Sequence, residues 1–164
     1  MRKYNGKNTR INGYSKNIEN DTEIFLKPAF DNNNIALAMS SSNEYAPYVS
    51  VLIQSIIDNA KSSNNYDILV LNKDISDNNK KLISEHMSAG NISVRFVDTN
   101  KYLNGRTLHT QGLAIETYFR FFLLDIMKNY DKVVYLDCDM VVNTDIADLY
   151  NMDISDCYLA AARD

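Results

Sequence analysis

Two carboxylates one residue apart interrupt an apolar stretch, Val133-Val134-Tyr135-Leu136-Asp137-Cys138-Asp139-Met140-Val141-Val142. A buried strand gains nothing from acids at that spacing, so the pair asks for a chemical reason. In an extended chain residues i and i+2 point the same way, and Asp137 and Asp139 would face one spot. Two anions so placed repel unless a cation, often a divalent one, sits between them. Hard oxygen ligands suit Mg2+ or Mn2+. Such an ion could hold a diphosphate and stabilise the charge growing on it as it leaves. The plainer reading is a polar turn between two strands with both acids solvated, since a bare Asp-X-Asp is common.

Other residues could work beside the acids. Ser40-Ser41-Ser42-Asn43-Glu44-Tyr45 offers hydroxyls, an amide and an aromatic ring that could hydrogen-bond a base and ribose and stack on the base. A helix cap by Ser or Asn explains the same residues without a ligand. Arg120 lies among aromatics in Glu116-Thr117-Tyr118-Phe119-Arg120-Phe121. A cation there needs an acid or a phosphate nearby, and Glu116, four residues earlier, could serve through an ordinary helical pair. His86 and His109 are isolated, and His86 reads as packing or surface on its helix. Asp164 follows a run of small residues.

The elements that must position these groups alternate. Ile35–Met39 reads as a strand leading into the polar loop. Tyr48, Val51, Leu52, Ile56 and Ala60 follow helical spacing, with Pro47 suited to a first turn. Asp67–Leu71 is a second strand. Ser76 begins a helix carrying Leu82, Ile83 and Met87, which Gly90 stops. Ile92–Val97 is a third strand, Asn104-Gly105 a turn, and residues 113–128 an apolar-rich helix. The strand before the acid pair follows, and Tyr158–Ala162 is a last apolar run. Such alternation predicts an α/β layer with a mainly parallel sheet. Ligands then gather beyond the carboxyl ends of the strands, where Ser40–Tyr45, Asp137–Asp139 and Arg163-Asp164 fall. Residues 1–33, rich in Asn and Lys, read as a flexible leader, and 34–164 as the folded part.

Composition narrows the partners. The 164 residues suffice for one domain, and 45% apolar with 23% charged residues is the balance of a soluble globular protein. The net charge is −4, with no face-sized cluster of Lys and Arg, which disfavours nucleic acid and favours a small ligand or sugar. Cys138 and Cys157 form no CxxC pair, so neither a zinc site nor a disulfide framework is indicated and a reducing, cytoplasmic setting is expected. No apolar run is long enough to span a bilayer, and no secretory signal opens the sequence.

Taken together, these residues resemble glycosyltransferase family 8, retaining enzymes of the GT-A fold that use UDP-sugars. The resemblance rests on Ser41-Ser42-Asn43-Glu44-Tyr45-Ala46-Pro47-Tyr48, on Thr117-Tyr118-Phe119-Arg120-Phe121, on Tyr135-Leu136-Asp137-Cys138-Asp139-Met140-Val141-Val142, and on Leu159-Ala160-Ala161-Ala162-Arg163-Asp164. It implies a nucleotide-diphospho-sugar transferase, Rossmann-like, transferring a hexose with retention. By the same resemblance Asp137 and Asp139 hold Mn2+ (or Mg2+) against the UDP diphosphate. Ser41, Ser42, Glu44 and Tyr45 line the uridine pocket, and Cys138 places its backbone beside the ribose. Arg120 reaches the donor sugar and phosphates, and Asp164 contacts the transferred sugar. Ser42 stands where many members carry an Asp toward uracil, so base affinity or selectivity would differ.

The resemblance also sets expectations for the whole chain. Members of the family are longer, and the HxxGxxKPW-type histidine that completes their metal shell is not in this sequence. The expected fold is therefore incomplete at its C-terminus, and the isolated chain is expected to transfer sugar poorly or not at all. Acceptors by analogy are glycans, glycolipids or glycoproteins, in polysaccharide or lipopolysaccharide synthesis. The setting is the cytoplasm, with peripheral association at the inner membrane surface in a longer form. Two alternatives stand beside this. One is a non-catalytic nucleotide-binding or inert fragment. The other is a haloacid-dehalogenase-type phosphatase, whose DxDx[TV] motif Asp137–Val141 satisfies but too near the chain end for its further motifs.

Overall fold

A computed structural model of the chain describes residues 26–88, 90–103 and 112–162. Four strands form one sheet: β1 (Asn34–Ser40), β2 (Asn65–Asn72), β3 (Ile92–Asp98) and β4 (Val134–Tyr135). All pairings are parallel and the spatial order is β3-β2-β1-β4. The middle strands are buried along almost their whole length, which is why β1 and β2 read as continuous apolar runs rather than alternating ones.

Each face of the sheet has its own cover. Ile35, Leu37 and Met39 of β1 pack with Val49, Leu52, Ile53 and Ile56 of α1 (Ala46–Asn59) and Ile83 of α2 (Asp77–Met87). On the opposite face Ala36, Ala38, Leu69 and Leu71 meet Phe119, Leu123, Ile126 and Met127. The small side chains of Ala36 and Ala38 leave room there for the fully buried Phe119 ring. Helix α1 has Pro47 in its first turn, where the missing N–H matters least. Ser76 caps α2, its hydroxyl accepting from the Asn79 N–H at 3.3 Å. Beyond α2 the chain turns through Gly90, whose φ of +58° is the left-handed conformation that glycine adopts freely.

The direction of winding reverses once. From β1 through α1, β2 and α2 to β3 the chain steps outward with its helices on one face. From β3 it returns across the other face, through α3 (Asn100–Leu103), the 3-10 helix Ile115–Phe122 and α4 (Leu123–Ile126), to place β4 on the far side of β1. Right-handed crossovers require that change of face. The carboxyl ends of β1 and β4 therefore lie side by side where the winding reverses, the switch point at which open α/β sheets bind ligands.

Three expectations need correction. The helix expected over residues 113–128 is a 3-10 helix followed by the single turn of α4. Aromatic and β-branched residues disfavour an α-helix here, and a 3-10 helix superposes residues three apart. Tyr118 lies over Phe121 and Phe119 over Phe122, with ring centres 6.3 and 6.1 Å apart. The strand before the acids is also shorter than its apolar run. Only Val134 and Tyr135 pair with β1, and after Leu136 donates to the Ala38 carbonyl at 2.9 Å the chain leaves the sheet. Cys138 and Asp139 lie in a turn, so strand alternation does not set the direction of the two carboxylates. Finally, Tyr158–Ala162, though apolar, is exposed and forms no strand.

Residues 26–33 were expected within the leader, yet they are tied to the sheet. Asp67 of β2 is fully buried and accepts from Arg95 Nη2 at 2.7 Å, Tyr130 Oη at 2.7 Å and the Ala29 N–H at 2.9 Å. Arg95 also donates to the Lys27 carbonyl at 3.0 Å. Residues 1–25, the Asn104-Gly105 turn, His109, Arg163 and Asp164 lie outside the described residues.

Candidate donor-binding site at the switch point

The loop after β1 and the turn after β4 are joined by side chains. Ser40, the last residue of β1, shares a 2.5 Å hydrogen bond with the Tyr135 hydroxyl of β4. Burial pushes the Tyr135 hydroxyl above its ordinary pKa, while the Ser40 bond and the Arg120 charge pull it back. The phenol therefore stays neutral at physiological pH. Next along the loop, Ser41 is almost completely buried and donates to the Ser42 carbonyl at 2.9 Å, and its hydroxyl is near enough to the Cys138 thiol to favour the thiolate slightly. Burial, followed by the Asp139 charge, raises the pKa of that thiol. Cys138 is half-buried against the α1-side core, so it anchors the turn while the acids on either side of it are exposed.

Arg120 reaches this turn from the 3-10 helix. Its Nε donates to the Thr117 carbonyl at 2.9 Å, and its guanidinium carbon lies 4.8 Å from the centre of the Tyr135 ring. Nη2 is 3.4 Å from Asp137 Oδ1. The acid that meets this cation is therefore Asp137 rather than Glu116. The neighbouring Phe119 explains the position: its buried ring fixes the helix and leaves the next side chain pointing out along the sheet edge.

The polar loop does more than the capping reading suggested. The residue before α1 is Tyr45, which makes no side-chain cap, so neither Ser nor Asn caps that helix. Asn43 instead binds the start of α2. Its Oδ1 accepts from the Ser76 N–H and Asn79 Nδ2, each at 2.9 Å, and its own N–H donates to Asp74 at 3.0 Å. This fixes the loop from behind and leaves Ser42 half-buried, with Glu44 and Tyr45 exposed. Tyr45 pairs with Tyr48 one turn on, ring centres 5.3 Å apart.

Of the residues singled out in the sequence, Arg120 and Asp137 meet directly, Arg120 is joined through Tyr135 to Ser40, and Ser41 and Cys138 are the chain neighbours of Ser40 and Asp137. Ser42, Glu44 and Tyr45 lie on the same loop, and Asp139 closes the turn. Asp164 lies outside the described residues. Tyr135 reads in the sequence only as a strand residue, and Ser40 reads as one hydroxyl of the polar loop with no sign of its partner. Their signal was a hydroxyl at the end of each of two adjacent strands, visible only once β1 and β4 are known to pair.

The donor set can be tested against a divalent ion. Asp137 and Asp139 offer hard, solvent-facing oxygens, and a cationic guanidinium already approaches one of them. No group of three His, Cys, Asp or Glu able to hold a metal occurs among the described residues. Two carboxylates suffice for an ion that takes its remaining oxygens from water and phosphate, as Mg2+ commonly does. The residues fit such an ion.

The fold is that of the GT-A glycosyltransferases, an α/β layer with a parallel sheet and flanking helices. The sequence profile described as glycosyl transferase family 8 matches residues 36–164, and the chain belongs to that family. It is 36% identical to a proposed glycosyltransferase of Haemophilus influenzae over 131 residues, 78% of this chain and 38% of that protein. Among solved structures, the bifunctional glycosyltransferase WbbM superposes with a TM-score of 0.70 at 35% identity, covering 79% of this chain and 23% of WbbM. The galactosyltransferase LgtC, solved with donor and acceptor sugar analogues, superposes at 0.58 with 27% identity, covering 72% and 42% respectively. The chain therefore spans less than half the length of these relatives. Family membership displaces the phosphatase alternative, whose support was the DxDx[TV] pattern alone.

Proposed function

We propose that this chain binds the donor of a hexosyltransferase reaction, a UDP-sugar, at the switch point between β1 and β4. The observation that carries this reading is the convergence there of the Ser40–Tyr45 loop, the Asp137–Asp139 turn and Arg120. LgtC, which shares the fold and 27% identity, is a galactosyltransferase bound to donor and acceptor sugar analogues, which supports a nucleotide-sugar ligand.

Each residue has a role in this reading. Asp137 and Asp139 hold Mn2+ or Mg2+, which supplies positive charge against the diphosphate of the departing UDP. Ser41, Ser42, Glu44 and Tyr45 receive uridine, with the Tyr45 ring available to stack on the base. The Cys138 backbone lies beside the ribose. Arg120 offers its planar guanidinium to phosphate oxygens and the donor sugar, geometry that favours bidentate contact. Asp164 contacts the transferred sugar. Transfer proceeds with retention to a glycan, glycolipid or glycoprotein acceptor in the cytoplasm, at the inner membrane surface for membrane-bound acceptors. No helix among the described residues is long and apolar enough to cross a membrane.

Calorimetric titration with UDP tests the reading. Binding that requires Mn2+ and is lost in Asp139→Ala supports it. Absence of UDP binding with Mn2+ present overturns it in favour of a domain that does not bind nucleotide.

A further inference from the structure

We infer that Arg120 and a divalent cation compete for the Asp137 carboxylate, so that Arg120 serves as the counter-charge of the acid pair and turns to the donor phosphates once that carboxylate is taken. The inference rests on the donor-site reading above and concerns the order in which its parts engage.

The contacts of the guanidinium are unequal. On its inner side Nε is held by the Thr117 carbonyl of its own helix at 2.9 Å, and the plane is carried on the Tyr135 ring. That ring is itself fixed by the Ser40 hydrogen bond. These contacts involve neither acid and can persist whatever binds beside them. The outer contact, from Nη2 to Asp137, is 3.4 Å, long for a charge-assisted hydrogen bond. Its partners are 40% and 62% exposed, so water screens the pair and its net strength is small. Arg120 is thus built with one fixed side and one exchangeable side.

Charge decides the exchange. A single guanidinium neutralises one of the two acids, whereas a divalent ion neutralises both. When such an ion takes Asp137, Nη2 loses its acceptor and lies beside a dication. Its favourable partner is then an anion with several oxygens, and a diphosphate presents them. Arg120 is in this way shared with Asp137 until the acids are occupied, which modestly weakens its hold on phosphate without metal.

Manganese binding read by electron paramagnetic resonance, in buffer without nucleotide, tests this directly. Arg120→Gln removes the competing charge and should tighten Mn2+ binding about three- to tenfold. Arg120→Lys keeps the charge and should stay within about twofold of the wild type. With Mn2+ saturating, Arg120→Gln should nevertheless bind UDP about tenfold more weakly. In the wild-type protein, Mg2+ should shift the Arg120 Nε–H resonance, assigned by its loss in Arg120→Gln. Unchanged or weaker Mn2+ binding in Arg120→Gln, or no shift of that resonance at saturating Mg2+, overturns the competition. A wild-type protein that binds no Mn2+ fails the donor-site reading itself, a result distinct from either of these.

Discussion

Removing Asp67 should destabilise the protein severely, although it lies far from the candidate site in the chain. The carboxylate is fully buried and is the common acceptor for Arg95, Tyr130 and the Ala29 N–H. In Asp67→Ala the Ala29 N–H loses its partner, and the Arg95 guanidinium keeps only the Lys27 carbonyl and the Tyr130 hydroxyl. Breaking a buried pair from one side costs about 3–5 kcal/mol. Arg95 is 27% exposed and can recruit water, which places this variant near the lower limit. With a urea m-value of about 2 kcal/mol/M, the unfolding midpoint should fall by about 1.5–2 M. The reverse removal should be at least as harmful, because Arg95→Met strands the member of the pair that water cannot reach. The double variant Asp67→Leu/Arg95→Met should lose less than the two single losses together. Urea unfolding followed by circular dichroism measures all three. A midpoint drop below about 0.5 M for Asp67→Ala, or full additivity in the double variant, would refute the reasoning.

Further outcomes follow from other sites. Asp145 is buried, and although burial raises its pKa, hydrogen bonds from the Ala147 N–H and Tyr66 Oη, with the Lys61 charge, bring it below the usual value. Its contribution is therefore present above pH about 4 and lost as the pH falls through the folded value, so Asp145→Asn should flatten the acid limb of the pH–stability curve. Phe119→Ala should cost about 3–5 kcal/mol by calorimetry and, because Arg120 is the next residue, also weaken nucleotide binding. Of the two thiols, exposed Cys157 should react quickly with a disulfide reagent. Cys138, half-buried and raised in pKa by burial and Asp139, should react slowly, leaving a single slow phase in Cys157→Ser.

The alternation of elements was legible because β1, α1, β2 and α2 carry their signals locally: Pro47 in a first turn, Ser76 as a cap, and apolar runs bounded by polar loops. The acid pair and Arg120 stood out because charged residues rarely interrupt apolar segments without a partner. What was not legible depends on neighbours distant in the chain. Tyr135 looks like an ordinary strand residue, and Ser40 like any hydroxyl of the polar loop, until their strands pair. Asp67 reads as the first residue of a strand, and nothing nearby announces that Arg95 and Tyr130 converge on it. The 3-10 helix was missed because its apolar spacing also suits an α-helix, and tertiary stacking of its rings chose between them. Asn43 was read as a ligand or cap for its own helix, whereas it holds the start of the next one.

The winding reversal beside β1 also orders the assembly of the molecule in time. β1, β2 and β3 are neighbours joined by single helices, so each contact closes a short loop. The contact that creates the site joins Ser40 to Tyr135, 95 residues apart, through a strand only two residues long. Closing so long a loop for so few bonds is entropically unfavourable until the rest of the sheet is in place. Docking of β4 should then be the last step of folding and its release the first step of opening. Amide exchange should reflect this, with Leu136 protected far less than Leu69 in the centre of the sheet. The chain can accordingly be folded over most of its length and still lack its site, and a ligand that bridges β1 and β4 would act as the final piece of the fold.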